Sequence, residues 1–263
     1  MNRHSLLDNL QAFDDRRDIL VPGDQHQTLR LCVDHFIATA NAAIKKHGRF
    51  TVALSGGSTP EAIYKALAAK SPAPVDWSKV WLFWSDERSV PPGHHDSNYR
   101  MAMEAGMGSL GIPENQIFRM RAEENIVENA EAYEQALRAN LTNESFDMVM
   151  LGMGNDGHTA SLFPHTHGLT TRNRLVIGNW IPQLNTWRMS LTFECINAAS
   201  TICIYVMGKS KAKTLTHVLS SSPDVENLPS QEVGTSVHKA LWIVDADAAE
   251  DLLNHMASSE PGD

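Results

Sequence analysis

Residues 50–60 of the chain read FTVALSGGSTP, and residues 147–164 read DMVMLGMGNDGHTASLFP. Each stretch begins with a short apolar run, which predicts a strand buried on both faces, and continues into a glycine-rich turn. Strands of this kind are typical of parallel sheets covered by helices, which bind ligands beyond the carboxyl ends of their strands. The two stretches therefore predict an α/β fold with two candidate ligand loops at one edge of its sheet.

Strand-like runs elsewhere in the chain alternate with helical patterns. Apolar residues between Gln25 and Lys46 recur at helical spacing, and Val80 to Trp84 is a buried strand followed by a polar loop over residues 85–97. We therefore predict a three-layer αβα, Rossmann-like, mostly parallel sheet with a small additional lobe. Further helices are expected at residues 62–69, 98–107, 125–140 and 209–219, and further strands at residues 117–120, 175–177, 189–193, 201–206 and 240–244.

The length of 263 residues is enough for one large core, and no shift in composition marks a domain boundary. We assign residues 1–23 to an N-terminal extension, residues 24–257 to a single α/β domain and residues 258–263 to a frayed tail. Nothing in the pattern indicates an oligomer, so a monomer is the simplest expectation.

The chain is acidic, with 22 Lys and Arg against 31 Asp and Glu, for a formal net charge of −9. Its electrostatic field has the wrong sign for nucleic acids and anionic membranes, and no apolar run reaches the ~20 residues of a membrane helix. Cys32, Cys195 and Cys203 form no CxxC pair, and the charged start of the chain does not resemble a signal peptide. We therefore expect a cytoplasmic protein that binds any anionic substrate through a local cluster of donors.

The first glycine loop is a candidate anion site. Free N–H groups at a helix start, together with hydroxyl groups, suit a phosphate or a carboxylate. A capping box between Ser58 and Glu61 would explain the same residues without a ligand, and so would a Thr59 cap ahead of Pro60. The loop matches no dinucleotide, nucleotide triphosphate or serine-nucleophile motif. The candidate binding residues are Ser55, Gly56, Gly57, Ser58 and Thr59.

Two further segments carry candidate chemistry. Asp86, Glu87 and Arg88 follow a strand, and they either neutralise one another or present Arg88 to an anionic substrate. In the second glycine turn, Asp156 and His158 are two residues apart. Histidine is suited to moving a proton to or from water near neutral pH, and a nearby carboxylate would orient it. A lone loop histidine is most often structural, but a glycine-rich loop at the carboxyl edge of a parallel sheet favours a catalytic one, so His158 and Asp156 are the candidate catalytic residues.

No metal or cofactor is predicted. His94 and His95 are neighbours in a loop, and no further ligand follows at a familiar spacing, so solvated loop histidines are the better interpretation. His165 and His167 fit no familiar metal site with His158. The loops also lack the motifs of nucleotide and flavin sites.

Six motifs stand in order between about residues 50 and 249. They are LSGGSTP at 54–60, WSDER at 84–88 with DSNY at 96–99, GMGNDGHTASLFP at 152–164, RMSLT at 188–192, GKSKA at 208–212 and WIVD at 242–245. This set resembles the signature motifs of 6-phosphogluconolactonases. The family often has prolines ahead of the fourth motif, whereas this chain has Leu184 to Trp187 there. This difference affects the expected wall of the pocket and not the expected chemistry.

The resemblance implies hydrolysis of 6-phospho-D-glucono-1,5-lactone to 6-phosphogluconate, the second step of the oxidative pentose phosphate route, without a cofactor. It implies that His158 activates water and that Asp156 orients His158. The partner is then a small sugar-phosphate lactone, and Lys209 competes with Lys211 for one binding role. The residues assigned to substrate binding are the loop Ser55–Thr59, Asp86, Arg88, Arg188 and Lys211.

Three alternatives stay open. Glucosamine-6-phosphate deaminases share the fold and resemble GxGxDGHxxxxEP, but this chain has Phe163 where they carry a catalytic glutamate. A non-catalytic sugar-phosphate sensor would keep the phosphate loop but would not need both Asp156 and His158. A purely structural domain is disfavoured, because three polar loops follow equivalent strand ends.

Overall fold

The computed structural model describes residues 10–259 of the chain. In this part of the chain one sheet has seven strands and a second has three, and helices connect the strands of the larger sheet. The prediction of a mostly parallel α/β sheet with a small additional lobe is confirmed, and the lobe is the three-stranded sheet. The strands are β1 (Gln11–Ala12), β2 (Arg17–Leu20), β3 (Phe50–Leu54), β4 (Val80–Trp84), β5 (Asp86–Arg88), β6 (Met148–Gly152), β7 (Val176–Ile181), β8 (Thr186–Leu191), β9 (Ile202–Val206) and β10 (Ala240–Val244).

The helices follow the alternation expected from the sequence. The first helix, Gln25–His47, begins with a capping box between Asp24 and Gln27 and ends at Gly48, whose φ of 86° is left-handed. Its apolar stripe and its two caps agree, so its predicted bounds are accurate. The other α-helices are Ser58–Ala68, Asn98–Glu104, Ile126–Asn140, Phe193–Asn197, Ala212–Ser220 and Ala246–Ser259.

The strand order of the larger sheet is β1-β2-β10-β9-β6-β3-β4, and only the β1–β2 pair is antiparallel. From β3 the chain moves to β4 on one side, whereas β6 pairs on the other side of β3. The strand order therefore reverses next to β3, and such a switch point opens a crevice at the carboxyl ends of the strands. This topology positions both glycine loops, because they follow β3 and β6.

The core lies along the central strands. Every residue of β3, β9 and β10 is buried, as expected for strands covered on both faces. Phe83 of β4 stacks on Phe118 with 4.7 Å between ring centroids and meets Phe146 edge-on at 5.3 Å. This packing holds the strand ends, and hence the loops after them, in fixed positions.

Several expectations about local structure need correction. Residues 117–120 do not form a strand, because only one parallel bridge joins Ile117 to Leu82. The helix expected over residues 98–107 ends at Glu104, and the loop expected over residues 85–97 contains β5, which pairs with β8. Short polar strands such as β5 lack the apolar run on which the sequence prediction relied.

The ends of the chain also differ from expectation. Strand β2, within the segment assigned to an N-terminal extension, pairs in register with β10 and is part of the sheet. The last helix continues to Ser259, so residues 258 and 259 are helical rather than part of a tail. Residues 1–9 of the extension and 260–263 of the tail lie outside the described residues. Over the described range, no helix combines the length and the hydropathy that a bilayer crossing requires.

Candidate active site

A cleft of about 650 Å³ opens at the carboxyl ends of β4, β3, β6 and β9, and we call it the central cleft. Every residue that the sequence analysis assigns to catalysis or substrate binding lines it, although these residues come from five separate segments. A volume of this order suits a hexose-sized ligand. The assigned residues in its wall are Ser55, Gly56, Gly57, Ser58, Thr59, Asp86, Arg88, Asp156, His158, Arg188 and Lys211.

His158 and Asp156 form a hydrogen-bonded pair in the turn after β6. Nδ1 of His158 lies 2.5 Å from Oδ1 of Asp156, which also accepts the backbone N–H of His158 at 3.2 Å. Burial raises the pKa of Asp156, but the hydrogen bonds and charge of His158 outweigh burial and lower the pKa of this carboxyl below its usual value. An ionised carboxylate only accepts hydrogen bonds, so Nδ1 carries the proton and Nε2 is the basic nitrogen.

Gly154 makes room for this pair. A Cβ atom at residue 154 would lie 2.1 Å from Nδ1 of His158 and 2.5 Å from Oδ1 of Asp156. The backbone N–H of Gly154 donates to the carbonyl of His158 at 2.8 Å, which closes the turn. Gly157 adopts a left-handed φ of 78° within it. The glycines therefore allow a turn in which the backbone passes directly beside the imidazole.

The imidazole of His158 also contacts an aromatic ring. The ring of Phe163 stacks on it, with 3.9 Å between the centroids and 20° between the planes. Phe163 occupies the position at which the deaminase pattern carries glutamate. An apolar ring therefore lies where that alternative needs a proton-transfer group.

The glycine loop after β3 differs from both capping arrangements considered in the sequence analysis. The helix begins at Ser58, Gly57 is its N-cap with a φ of 97°, and no side chain caps it. Neither Ser58 with Glu61 nor Thr59 forms the cap. The positive φ of Gly57 lets the helix start one residue earlier than a Ser58 cap would allow and two earlier than a Thr59 cap would. The start of this helix, with its N–H groups and hydroxyls, faces the central cleft.

Ser55 is held by the core. Its backbone N–H donates to the hydroxyl of Tyr64 at 3.0 Å, and its carbonyl accepts from the same hydroxyl at 2.9 Å. The backbone N–H of Ser55 is therefore already used within the protein. At Gly56 a Cβ atom would lie 2.0 Å from Oδ1 of Asn98, so glycine is required for the loop to pack against that side chain.

The structure separates the two candidate lysines. Nζ of Lys211 donates to the carbonyl of Met153 at 2.9 Å, and burial lowers the pKa of Lys211 while the charge of Asp156 opposes that effect. Nζ of Lys209 lies 3.1 Å from a carboxylate oxygen of Glu250, and its side chain is 77% exposed. Lys211 lines the central cleft, whereas Lys209 forms a surface ion pair.

Arg88 in β5 and Arg188 in β8 lie directly opposite each other in the antiparallel lobe. Like charges in this arrangement repel, and burial together with the charge of Arg88 lowers the pKa of Arg188. Within the described residues, Nε and Nη1 of Arg188 are buried and have no hydrogen-bond partner. Nη1 of Arg88 donates to the carbonyl of Asp96 at 2.5 Å. Such an arginine pair is suited to holding an anion.

Asp86 is buried in a hydrogen-bond network at the wall of the cleft, with 7% of its surface exposed. Its Oδ2 accepts from the hydroxyl of Ser161 at 2.7 Å, and its Oδ1 accepts from Nδ2 of Asn98 at 3.2 Å. Since Nδ2 of Asn98 also donates to the carbonyl of Asp86 at 2.9 Å, Asp86 joins β5 to the helix that begins at Asn98. The carboxylate therefore organises the wall as well as facing the cleft.

Glu87 serves the same helix instead of neutralising Arg88. Its two carboxylate oxygens accept the backbone N–H groups of Arg88, Asn98 and Tyr99 at 2.7 to 2.9 Å, and they also accept the hydroxyl of Ser97 at 2.9 Å. Burial raises the pKa of Glu87, and these hydrogen bonds only partly oppose it. In the described part of the chain, no ion pair joins Glu87 or Asp86 to Arg88.

His94, His95 and Asp96 bring their ligand atoms within 4.8 Å of one another. The side chains of His95 and Asp96 are 77% and 59% exposed, and the rings of His94 and His95 lie against each other with 4.1 Å between centroids and 34° between planes. Three exposed or partly exposed groups from one loop do not make the enclosed four-ligand set of a structural zinc site. The absence of a metal therefore stays a prediction.

The sequence model of the family described as "Glucosamine-6-phosphate isomerases/6-phosphogluconolactonase" matches residues 23–242, most of the chain. The chain belongs to this family. A 6-phosphogluconolactonase from Chlamydia trachomatis serovar D is 41% identical to it over 239 residues, or 91% of this chain and 92% of the relative. A 6-phosphogluconolactonase from Nostoc sp. is 38% identical over 90% of this chain and 99% of its own length. The crystal structure of 6-phosphogluconolactonase from Thermotoga maritima superposes with a TM-score of 0.74 at 28% identity, over 86% of this chain and 98% of that chain.

Three residues of the central cleft with clear structural roles, Gly154, Phe163 and Asn98, were given no such role in the sequence analysis. Gly154 and Phe163 stood inside a recognised motif, but only the path of the turn brings both against His158. Asn98 stood in the DSNY segment, and its contact with Asp86 depends on the path of the loop between β5 and the helix that begins at Asn98. All three stand within recognised motifs, but a motif does not predict which side chains its residues contact.

Proposed function

We propose that this protein hydrolyses 6-phospho-D-glucono-1,5-lactone to 6-phosphogluconate in the oxidative pentose phosphate route. One observation carries the proposal: the His158–Asp156 pair and the cationic side chains line one central cleft of hexose size. The relatives named 6-phosphogluconolactonase support the same substrate, since the first of them covers 91% of this chain. A strained cyclic ester needs no covalent intermediate for this reaction.

In the proposed mechanism Nε2 of His158 takes a proton from a water molecule as the water oxygen attacks the lactone carbonyl carbon. The bond between that carbon and the ring oxygen then breaks, and the imidazolium returns the proton to the ring oxygen. Asp156 accepts from Nδ1 and stabilises the transient imidazolium. General acid–base catalysis of this kind typically contributes ~10²–10⁴-fold, on top of the intrinsic reactivity of an ester that already hydrolyses in water.

The substrate phosphate is held by fixed positive groups. Arg88 and Arg188 repel each other in the free protein, and the buried, unpartnered atoms of Arg188 gain hydrogen bonds when an anion binds. Lys211 and the start of the helix Ser58–Ala68 add an ammonium group and helix N–H groups. Asp86, in its network with Ser161, faces the sugar hydroxyls rather than the phosphate.

The deaminase alternative lacks the group it needs, because Phe163 replaces the expected glutamate and stacks on His158. A sensor would need the cationic residues, but it has no use for a basic nitrogen that faces the cleft. No observation favours either alternative over the lactonase.

The test measures acid production from freshly generated 6-phosphogluconolactone, with and without the protein, in parallel with unphosphorylated gluconolactone. We expect rapid hydrolysis of the phosphorylated lactone and much slower hydrolysis of the other. Ammonia release from glucosamine 6-phosphate would support the deaminase, and binding of 6-phosphogluconate without turnover would support the sensor. Either outcome, without lactone hydrolysis, contradicts the proposal.

We also propose that the enzyme acts in the cytoplasm, as a monomer, and without a cofactor. The side chains of Cys32, Cys195 and Cys203 are buried, which suits a reducing compartment. We propose that residues 24–257 form one domain, which β2 completes through its pairing with β10. Size-exclusion chromatography with light scattering tests the monomer.

A further inference from the structure

One face of the His158 imidazole is covered by Phe163. The centroids are 3.9 Å apart and the planes differ by 20°, so the contact is a stack rather than an edge contact. Phe163 is 8% exposed, and both rings line the central cleft. A hydrocarbon ring therefore takes the place of water on that face of the imidazole.

Local structure fixes Phe163 in this position. Thr159 and Leu162 form an isolated antiparallel bridge, closed by a hydrogen bond of 2.9 Å from the Leu162 N–H to the Thr159 carbonyl. Ala160 within this turn has a positive φ of 47°. The carbonyl of Phe163 then accepts the hydroxyl of Thr166 at 2.7 Å. This tight turn returns the chain over the imidazole and anchors the aromatic ring at its backbone.

The hydrogen bond to Asp156 does not by itself hold the imidazole. The side chain of Asp156 is 47% exposed, so water competes for its oxygens, and an imidazole tied at one nitrogen can still tilt about that bond. A flat ring stacked on one face removes that tilt. Gly154 supplies no side chain at the edge of the ring, because a Cβ atom there would lie 2.1 Å from Nδ1, so the restraint on the tilt comes from Phe163.

We propose that Phe163 is a positioning residue for His158: its stacked ring keeps Nε2 directed at the water that attacks the lactone. The proposal rests on the proposed function, since it acts through the same base. Placing a base correctly before the reaction raises kcat, and it leaves substrate binding unchanged. Phe163 has no polar atom with which to bind the sugar, so its effect on KM should be small.

The test compares Phe163→Leu with Phe163→Tyr. Leucine keeps most of the apolar volume without a flat face, and tyrosine keeps the stacked ring. We expect Phe163→Leu to lower kcat by at least about 10-fold with KM within about twofold, and Phe163→Tyr to stay within about threefold of the parent kcat. A parent-like kcat for Phe163→Leu would overturn the proposal, and so would equal losses in the two variants.

A second measurement separates this inference from the proposed function. In the His158→Asn background the change Phe163→Leu should lower kcat no further, because the base that it positions is absent. A further loss in that background would overturn the positioning role while leaving the lactonase assignment intact. If His158→Asn alone retained full turnover of the lactone, the proposed base itself would be wrong.

A structural readout completes the test. In protein labelled at histidine, a stacked phenyl ring shifts the carbon-bound ring protons of His158 upfield, and Phe163→Leu should move them downfield without changing the other histidines. Unchanged His158 shifts in that variant would show that the rings do not stack in solution, which would overturn the proposal.

Discussion

Replacing Gly154 by alanine perturbs the catalytic pair without removing any of its groups. The new methyl carbon would lie 2.1 Å from Nδ1 of His158, whereas ordinary contacts begin at 3.4 Å, so the imidazole must move by about 1.3 Å. The φ angle of Gly154 is outside the left-handed region, and its backbone therefore accepts alanine without strain. A displacement of this size at a reacting group lowers the rate by roughly 10²-fold.

The assay is kcat for 6-phosphogluconolactone, corrected for spontaneous hydrolysis, with the thermal midpoint of unfolding measured in parallel. Gly93→Ala is the matched control, because a Cβ atom at residue 93 meets nothing within 4 Å and residue 93 is not part of the cleft wall. We expect Gly154→Ala to lose activity while Gly93→Ala keeps it, with similar unfolding midpoints. If Gly154→Ala kept kcat within about threefold, the placement of His158 against this backbone would be refuted.

Two further predictions concern the charges of the cleft. Lys211→Gln should raise KM at least about 10-fold, whereas Lys209→Gln should change it less than twofold, because Lys211 faces the cleft and Lys209 does not. Equal effects of the two variants on KM in steady-state kinetics would contradict this prediction. In the folded protein the pKa of Asp156 is below its usual value of 3.8, so the ionised carboxylate stabilises the fold at pH values above 3.8. This contribution is lost as the pH falls through the lower pKa of the folded state. In urea unfolding, the parent protein should have a larger free energy of unfolding than Asp156→Asn at pH 6, and the difference should be smaller at pH 3. A difference that does not change with pH would contradict the pairing of Asp156 with His158.

The residues assigned from the sequence come together in the fold, whereas several details of the local structure around them were predicted wrongly. The order of short apolar strands and helices was enough to place the glycine loops at carboxyl strand ends. All the assigned residues line one cleft because β3 and β6 are neighbours in the sheet. Connections between parallel strands are short and right-handed, and this rule restricts where successive strands of the sheet can lie.

Contacts between distant residues could not be predicted. Lys209 and Lys211 are equivalent in the sequence, and only the ion pair with Glu250 shows which of them turns away from the cleft. The juxtaposition of Arg88 and Arg188 depends on the register of two strands 100 residues apart. These features are set by tertiary structure, and a single sequence contains no local pattern for them.

The cap at Gly57 and strand β2 show a different limit. Ser58 and Thr59 are residue types with a stronger preference for the N-cap position than glycine. The positive φ of 97° at Gly57 nevertheless decides where the helix starts. Strand β2 is four residues long and begins with Arg17 and Asp18, so only Ile19 and Leu20 of it are apolar. Its partner β10 is at the other end of the chain. Local preference is outweighed in each case by the backbone geometry of the whole fold.

The central claim is that the imidazole of His158 activates water against the lactone carbonyl. The most direct measurement is kcat of His158→Asn on freshly generated 6-phosphogluconolactone, followed within seconds and corrected for spontaneous hydrolysis, with binding of 6-phosphogluconate measured on the same preparation. We predict a loss of kcat of ~10²–10⁴-fold, with product affinity within about threefold of the parent protein, because the cationic side chains remain in place. A variant that bound the product normally and hydrolysed the lactone at the parent rate would contradict the account.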